Sequence, residues 1–164
     1  VKGARLFLLA VVAALMAWAW VALHPSPERQ IRRRLEKAAQ AASFGPNKGF
    51  LSKVAGAERL ADFCLTNIEV KIDVPGHPEH TLSGREDVHQ AALAVRASVQ
   101  ALTVTFPDIA IIVSADKQSA VADLTLEAHA AGESDMIVQE VKVTLQKIDG
   151  QWLMAKVETV RTLK

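Results

Sequence analysis

Residues 143–160 read VTLQKIDGQWLMAKVETV, two alternating runs that meet at Asp149 and Gly150. In the first run Val143 and Leu145 face one way and Thr144 and Gln146 the other, the period of two that marks a half-buried strand. An Asp-Gly pair between two such runs supplies the positive φ angles of a tight hairpin turn. The pattern continues upstream in LTVTFPDIAIIVS (102–114), SAVADLTLEAHA (119–130) and DMIVQEVKVTLQKI (135–148), separated by ADKQ and AGES. The C-terminal half therefore predicts an antiparallel meander of four strands.

Ahead of the meander the period changes. In SPERQIRRRLEKAAQAA (26–42), Ser26 can cap a helix and Pro27 suits its first turn, while Ile31, Leu35, Ala38, Ala39 and Ala42 recur at helical spacing. A Gly- and Pro-containing loop follows, and Val54, Ala57, Leu60, Ala61 and Cys64 mark a shorter second helix. NIEVKIDV (67–74) alternates again, with Ile68, Val70, Ile72 and Val74 against Glu69, Lys71 and Asp73. A brief strand at Thr81 and Leu82 precedes a third helix defined by Val88, Ala91, Ala92, Val95 and Val99. This order predicts an α+β domain, with three helices packed on one face of a curved, mainly antiparallel sheet.

At 164 residues, half of them apolar, the chain has the length of one globular domain and a short extra segment. Its 19 basic and 18 acidic residues leave a formal charge of +1, which argues against a nucleic-acid partner. Cys64 is the sole cysteine, so neither an intramolecular disulfide nor a cysteine-based zinc site can form. Its apolar surroundings suit a buried small side chain better than a reactive thiol.

The extra segment is LFLLAVVAALMAWAWVAL, residues 6–23, without a charge. As a helix rising about 1.5 Å per residue it reaches roughly 27 Å, close to the thickness of a bilayer core. Lys2 and Arg5 precede it, Trp18 and Trp20 lie near its far end, and HPSP stops it. Residues 1–25 thus read as one transmembrane anchor or uncleaved signal ahead of a domain at 26–164. Arg29, Arg32, Arg33, Arg34 and Lys37 follow the span, and the positive-inside rule alone places the domain in the cytoplasm. Those charges lie on a predicted helix of the domain, however, and the basic, apolar, proline layout is that of an export signal. The expectation is a bacterial inner-membrane protein with its domain in the periplasm, cytoplasmic orientation being the alternative.

The order of elements, with SGRED opening the third helix and VTLQKIDGQWLMAKVETV closing the sheet, resembles the nuclear transport factor 2-like superfamily, also called SnoaL-like. The resemblance covers most of residues 28–162, and its motifs are Gly84-Arg85-Glu86 at the helix start and Gly150-Gln151-Trp152 at the final hairpin. It implies a cone-shaped domain whose sheet wraps the helices around an apolar pocket, often dimeric through the outer face of the sheet. Enzymes and non-enzymes share this shape, so activity has to be argued from a site.

HTLSGREDVH (80–89) gathers histidines, an arginine and acids. Ser83 and Glu86 have the spacing of a capping box, and Glu86 and Asp87 suit the positive end of a helix dipole, with Arg85 as a surface or ion-pairing side chain. His77, Glu79, His80 and His89 match no standard metal spacing, and neither a metal nor another cofactor is expected. In the isomerase branch, similar to ketosteroid isomerase, an acid near the end of the first strand acts as base and a tyrosine as oxyanion donor. The resemblance puts Asp73 near the place of that acid, yet alternation points Asp73 outward and Ile72 inward, and the chain has no tyrosine. Asp108 follows Pro107, where a bulge could aim it into the pocket, with His80 as acid/base partner. Phe63, Ile72, Phe106, Leu124, Val141 and Trp152 are expected to line or fill the interior, joined by Leu153, Met136 and Met154.

The favoured reading is a membrane-anchored, non-catalytic protein-binding or accessory-subunit domain that meets a protein partner or a second copy through its sheet face. The alternatives are an isomerase-, dehydratase- or cyclase-like enzyme using Asp108 or Asp73 with His80, and a non-catalytic binder of an apolar ligand.

Overall fold

The structure, a computed structural model, describes residues 11–16, 26–46, 49–73, 79–132 and 135–160. Helix α1 spans Pro27–Ala42, with the Ser26 hydroxyl accepting a hydrogen bond from the Arg29 N–H at 3.4 Å. Ile31, Leu35, Ala38 and Ala39 are its buried residues, the stripe its spacing predicts. Helix α2 (Phe50–Ala61) and strand β1 (Cys64–Ile72) follow. Next come β2 (His80–Ser83) and helix α3 (Arg85–Ser98). Strands β3 (Leu102–Val113), β4 (Ser119–Ala130), β5 (Ile137–Ile148) and β6 (Gln151–Thr159) complete the chain.

The six strands form one sheet in the order β2-β1-β6-β5-β4-β3. The meander β3 to β6 pairs antiparallel throughout, as does β1 with β2, whereas β1 runs parallel to β6. Asp149 and Gly150 turn the last hairpin with φ of 49° and 80°, the left-handed region that an Asp-Gly pair tolerates. Ile31 and Leu35 of α1 pack onto the inner face of the sheet among Ile109, Leu124, Val141, Leu145 and Trp152. Each such side chain stabilises the fold by about 1.5–3 kcal/mol when fully buried.

At the outer edge β3 is tied to the end of α1. Phe44 and Leu102 exchange backbone hydrogen bonds of 2.8 and 2.9 Å, the Ser43 hydroxyl accepts from Val104 N–H at 2.9 Å, and Arg32 donates to the Ile109 carbonyl at 2.8 Å.

Several expectations need correction. Cys64 opens β1 instead of closing α2, because the chain turns at Asp62 and Phe63 to enter the sheet. The thiol is still buried at 1 % exposure, and desolvation pushes its pKa up to about 11 against the opposing pull of Arg85. Helix α3 is capped one residue later than predicted: Gly84, at φ 98°, takes the N-cap position, and Asp87 accepts from the Ser83 N–H at 3.0 Å. Among the described residues Arg85 makes no ion pair. Its guanidinium donates twice to the Cys64 carbonyl, at 3.1 and 2.5 Å, fastening α3 to the start of β1. Val95 is 43 % exposed, while its neighbour Arg96 is 4 % exposed. Met136 is exposed at the entry to β5, and Leu153 pairs with Gln146 on the face opposite Trp152.

No helix among the described residues is long and apolar enough to cross a membrane. Of the apolar run 6–23 only residues 11–16, helical, are described, and the rest of that predicted span lies outside the described residues.

Candidate functional site

The three titratable groups singled out from the sequence do not converge. β3 does carry a bulge between Thr105 and Asp108, but its effect is the reverse of the one anticipated. Thr105 pairs with Glu127 and Asp108 with Thr125, so Phe106 and Pro107 together oppose one residue of β4. The extra residue keeps Asp108 exposed on the outer face and turns Ile109, at 8 % exposure, inward. His80 is exposed on β2, at the opposite edge of the sheet. The two thus sit on opposite edge strands of the six-stranded sheet, five strand spacings of about 4.8 Å apart along it. Asp73 lies just past β1, half-buried, with its backbone bracketed by Thr159: its N–H donates to the Thr159 hydroxyl at 2.8 Å and its carbonyl accepts from that hydroxyl at 3.1 Å.

The expected interior residues also divide. Leu124, Val141 and Trp152 are buried in the core cluster, with Phe106 packed against it. Ile72 does not face the interior: it is 38 % exposed, because the apolar face of β1 runs past the part of the sheet that the helices cover, and of Ile68, Val70 and Ile72 only Ile68 is buried. Phe63 leaves the core for the helical side, where the Arg34 guanidinium lies 4.4 Å from its ring centre. Ile31 and Leu35 fill the space facing Trp152, whose indole N–H is buried without a partner among the described residues. His77 lies outside the described residues, and His80 and His89 sit on separate elements.

A charged cleft lies on the other side of α1, between α1, α2 and α3, with a volume of about 570 Å³. Among the described residues its cations are Arg34 and Lys37 of α1, Arg59 of α2 and Arg96 of α3, and Asp62 is its one carboxylate. Arg34 is held by two backbone carbonyls, Trp152 and Asp62, each at 3.2 Å. The Arg96 guanidinium stacks 4.7 Å from the Phe44 ring centre and donates to the Ala41 carbonyl. It lies flat on Gly56, where an added Cβ would come within 2.7 Å of the guanidinium carbon, so a side chain at 56 would push it away. Burial pushes Arg96 below the usual arginine range, and the Arg59 charge pushes the same way. Burial likewise lowers Arg34, against the opposing pull of Asp62.

Sequence reading missed this cleft, although one signal was present. Arg96 stands four residues after Ala92 and eight after Val88, on the apolar stripe of α3 where a charge is out of place. Arg34 and Arg59 carry no comparable mark.

A smaller polar recess of about 350 Å³ lies between α2 and α3, bounded by Glu58, Asp62, Arg85, Glu86 and His89. There His89 Nδ1 is 3.8 Å from Glu86, and its Nε2 is buried without a partner among the described residues.

The outer face of the sheet is a third surface. Asp123, Lys142, Glu158 and Lys71 follow one another across β4, β5, β6 and β1 in a row of alternating sign. Ion pairs join Lys156 to Glu158 at 2.7 Å, Lys71 to Glu69 at 3.3 Å and Lys142 to Asp123 at 3.8 Å. Ile112, 71 % exposed, and Val138, 54 % exposed, stand on the same face.

No family model and no curated protein matches the chain. Solved structures do. A protein of Novosphingobium aromaticivorans proposed to be a scytalone dehydratase is similar at a TM-score of 0.64 and 17 % identity, over 83 % of this chain and 84 % of that one. A nuclear transport factor 2-like protein of unknown function from Pseudomonas putida aligns at 0.62 and 10 % identity, over 86 % and 92 % of the two chains. A proposed dehydratase of the same family from Streptomyces avermitilis gives 0.60 and 16 %, over 84 % and 97 %. At these identities the likeness concerns the backbone, and the chain has the nuclear transport factor 2-like fold.

Proposed function

We propose that this protein is a non-catalytic binding domain, an accessory subunit that presents the outer face of its sheet to a protein partner or to a second copy of itself. The observation that carries the reading is the content of the interior. Ile31, Leu35, Leu124, Val141, Leu145 and Trp152 occupy it, His80 and Asp108 are exposed, and Asp73, half-buried past the end of β1, is not part of that cluster. Proton-transfer chemistry on a bound molecule needs an acid or base facing that molecule. The outer face, in contrast, mixes exposed apolar side chains with charges of both signs, the composition of a moderately polar protein interface.

The proposal includes an anchor at residues 6–23 in a bacterial inner membrane and a periplasmic domain. The uncharged length of that run supports the anchor. Of the five cations after it, Arg32 and Arg34 bind the Ile109 and Trp152 carbonyls, so they serve the fold and weaken the charge argument for the cytoplasm. The dehydratase descriptions of two similar structures favour a second reading, an enzyme of that kind, which needs an inward acid or base.

The test is affinity purification of the tagged full-length chain from gently solubilised membranes, with mass spectrometry of protein and small-molecule companions. The binding reading expects a stoichiometric protein partner, or a dimer, that is lost in an Ile112→Asp, Lys142→Glu variant. A bound small molecule with no protein companion transfers the weight to the enzyme or ligand-carrier readings.

A further inference from the structure

The cleft between the helices holds more positive charge than the fold neutralises. Among the described residues Arg34, Lys37, Arg59 and Arg96 line it with Asp62, four cations against one carboxylate. Arg96 is 4 % exposed, and among the described residues no carboxylate lies within ion-pair distance of it. Ala41 is its one hydrogen-bond acceptor there, although a guanidinium carries five N–H donors. The charge acting most on it is Arg59, of the same sign. A cation taken out of water without a counter-charge is strongly unfavourable, and an anion entering the cleft relieves that cost.

We infer that this cleft is a binding site for a phosphoryl group. The surplus of three positive charges exceeds what one carboxylate neutralises, whereas a phosphate monoester brings about −1.5 to −2. Guanidinium groups match phosphoryl oxygens with paired N–H donors. Phe44 and Gly56 fix the Arg96 guanidinium in place before any ligand arrives, one beneath its face and one by leaving room for it. Lys37 and Arg59 are exposed at the rim, Arg59 with its Nε donating to the Ala55 carbonyl at 3.1 Å, and the volume of about 570 Å³ is that of a small-molecule site. This assignment is independent of the outer-face partner, since the two surfaces share no residue.

A phosphoryl group of this kind can belong to a soluble monoester or to a lipid headgroup, and two probes separate them. The full-length protein in mild detergent is titrated by calorimetry with phenyl phosphate and with dihexanoyl phosphatidic acid, at an ionic strength held constant with chloride. Saturable binding is expected, tighter for whichever probe represents the source. A Lys37→Gln, Arg59→Gln double variant, which leaves the buried arginines in place, should weaken it about tenfold or more. Arg33→Gln removes a charge from the same helix outside the cleft and should leave affinity unchanged. Absence of saturable binding by both probes, an unchanged affinity in the double variant, or an equal loss in Arg33→Gln would overturn the assignment.

Discussion

The inner face of the sheet and the cleft between the helices share α1 as a wall, yet they are built on opposite rules. Toward the sheet, α1 contributes Ile31 and Leu35 to a dry apolar fill. Toward the other helices it contributes Arg34 and Lys37 to a cavity lined with cations. Leu35 at 1 % exposure and Arg96 at 4 % are almost equally hidden from water, but burial means different things in the two places. Leu35 gains free energy by leaving water, whereas Arg96 loses it and recovers part through the Phe44 ring and the Ala41 carbonyl. With the inner face of the sheet filled by apolar side chains, the search for a polar ligand moves to the side of the helices that faces away from it.

The comparison breaks most easily at Trp152. Trp152→Ala should cost about 3–5 kcal/mol in urea unfolding, because the cavity opens among Ile31, Leu35 and Leu145. A loss below about 1 kcal/mol would mean that the interior is not packed around this side chain. Arg96→Met sharpens the contrast: a buried, uncompensated charge replaced by an apolar side chain of similar length should leave stability within about 1 kcal/mol of the parent, or raise it. A loss as large as that of Trp152→Ala would make Arg96 a pillar of the fold and erase the distinction between the two regions.

The smallest effect belongs to the outer face, which follows neither rule. The Glu158 carboxyl is held below the usual glutamate range, first by the hydrogen bond from Lys156, then by the charges of Lys156, Lys71 and Lys142, with burial opposing. A depressed carboxylate contributes stability that is present above the ordinary glutamate pKa and is lost as pH falls through the depressed value. The melting temperature of the parent should therefore slightly exceed that of Glu158→Gln at pH 7, and the gap should close in acid. A gap that persists at low pH would assign the difference to packing instead of charge.

Much of the fold was legible because β4 and β5 largely alternate apolar and polar side chains. Val141, Val143 and Leu145 announce the inner face of β5, and Asp149-Gly150 announces the hairpin. What escaped reading depended on neighbours distant in sequence. The parallel seating of β1 beside β6 joins segments about eighty residues apart, and nothing in NIEVKIDV names its partner. The direction of Asp108 turned on how many residues of β3 oppose Leu126, a register that Pro107 suggests but does not determine. For the candidate site, Arg96 was visible as a charge on an apolar stripe, but its meaning required Gly56 and Arg59 from another helix. The exposure of Ile72 was not readable from alternation, which gives the face of a strand and not how far the helices cover it.

The ties between α1 and β3 bear on how the protein behaves in a crowded compartment. β3 is a twelve-residue strand at the margin of the sheet, the kind of open ladder on which a foreign chain can pair and fibrils can grow. Phe44 already occupies Leu102, Ser43 occupies Val104, Pro107 offers no N–H, and Arg32 covers the Ile109 carbonyl. The helix that builds the core thus also serves as a guard against self-templating, and association of this chain with another is directed away from the β3 margin toward side-chain surfaces, where it can be selective.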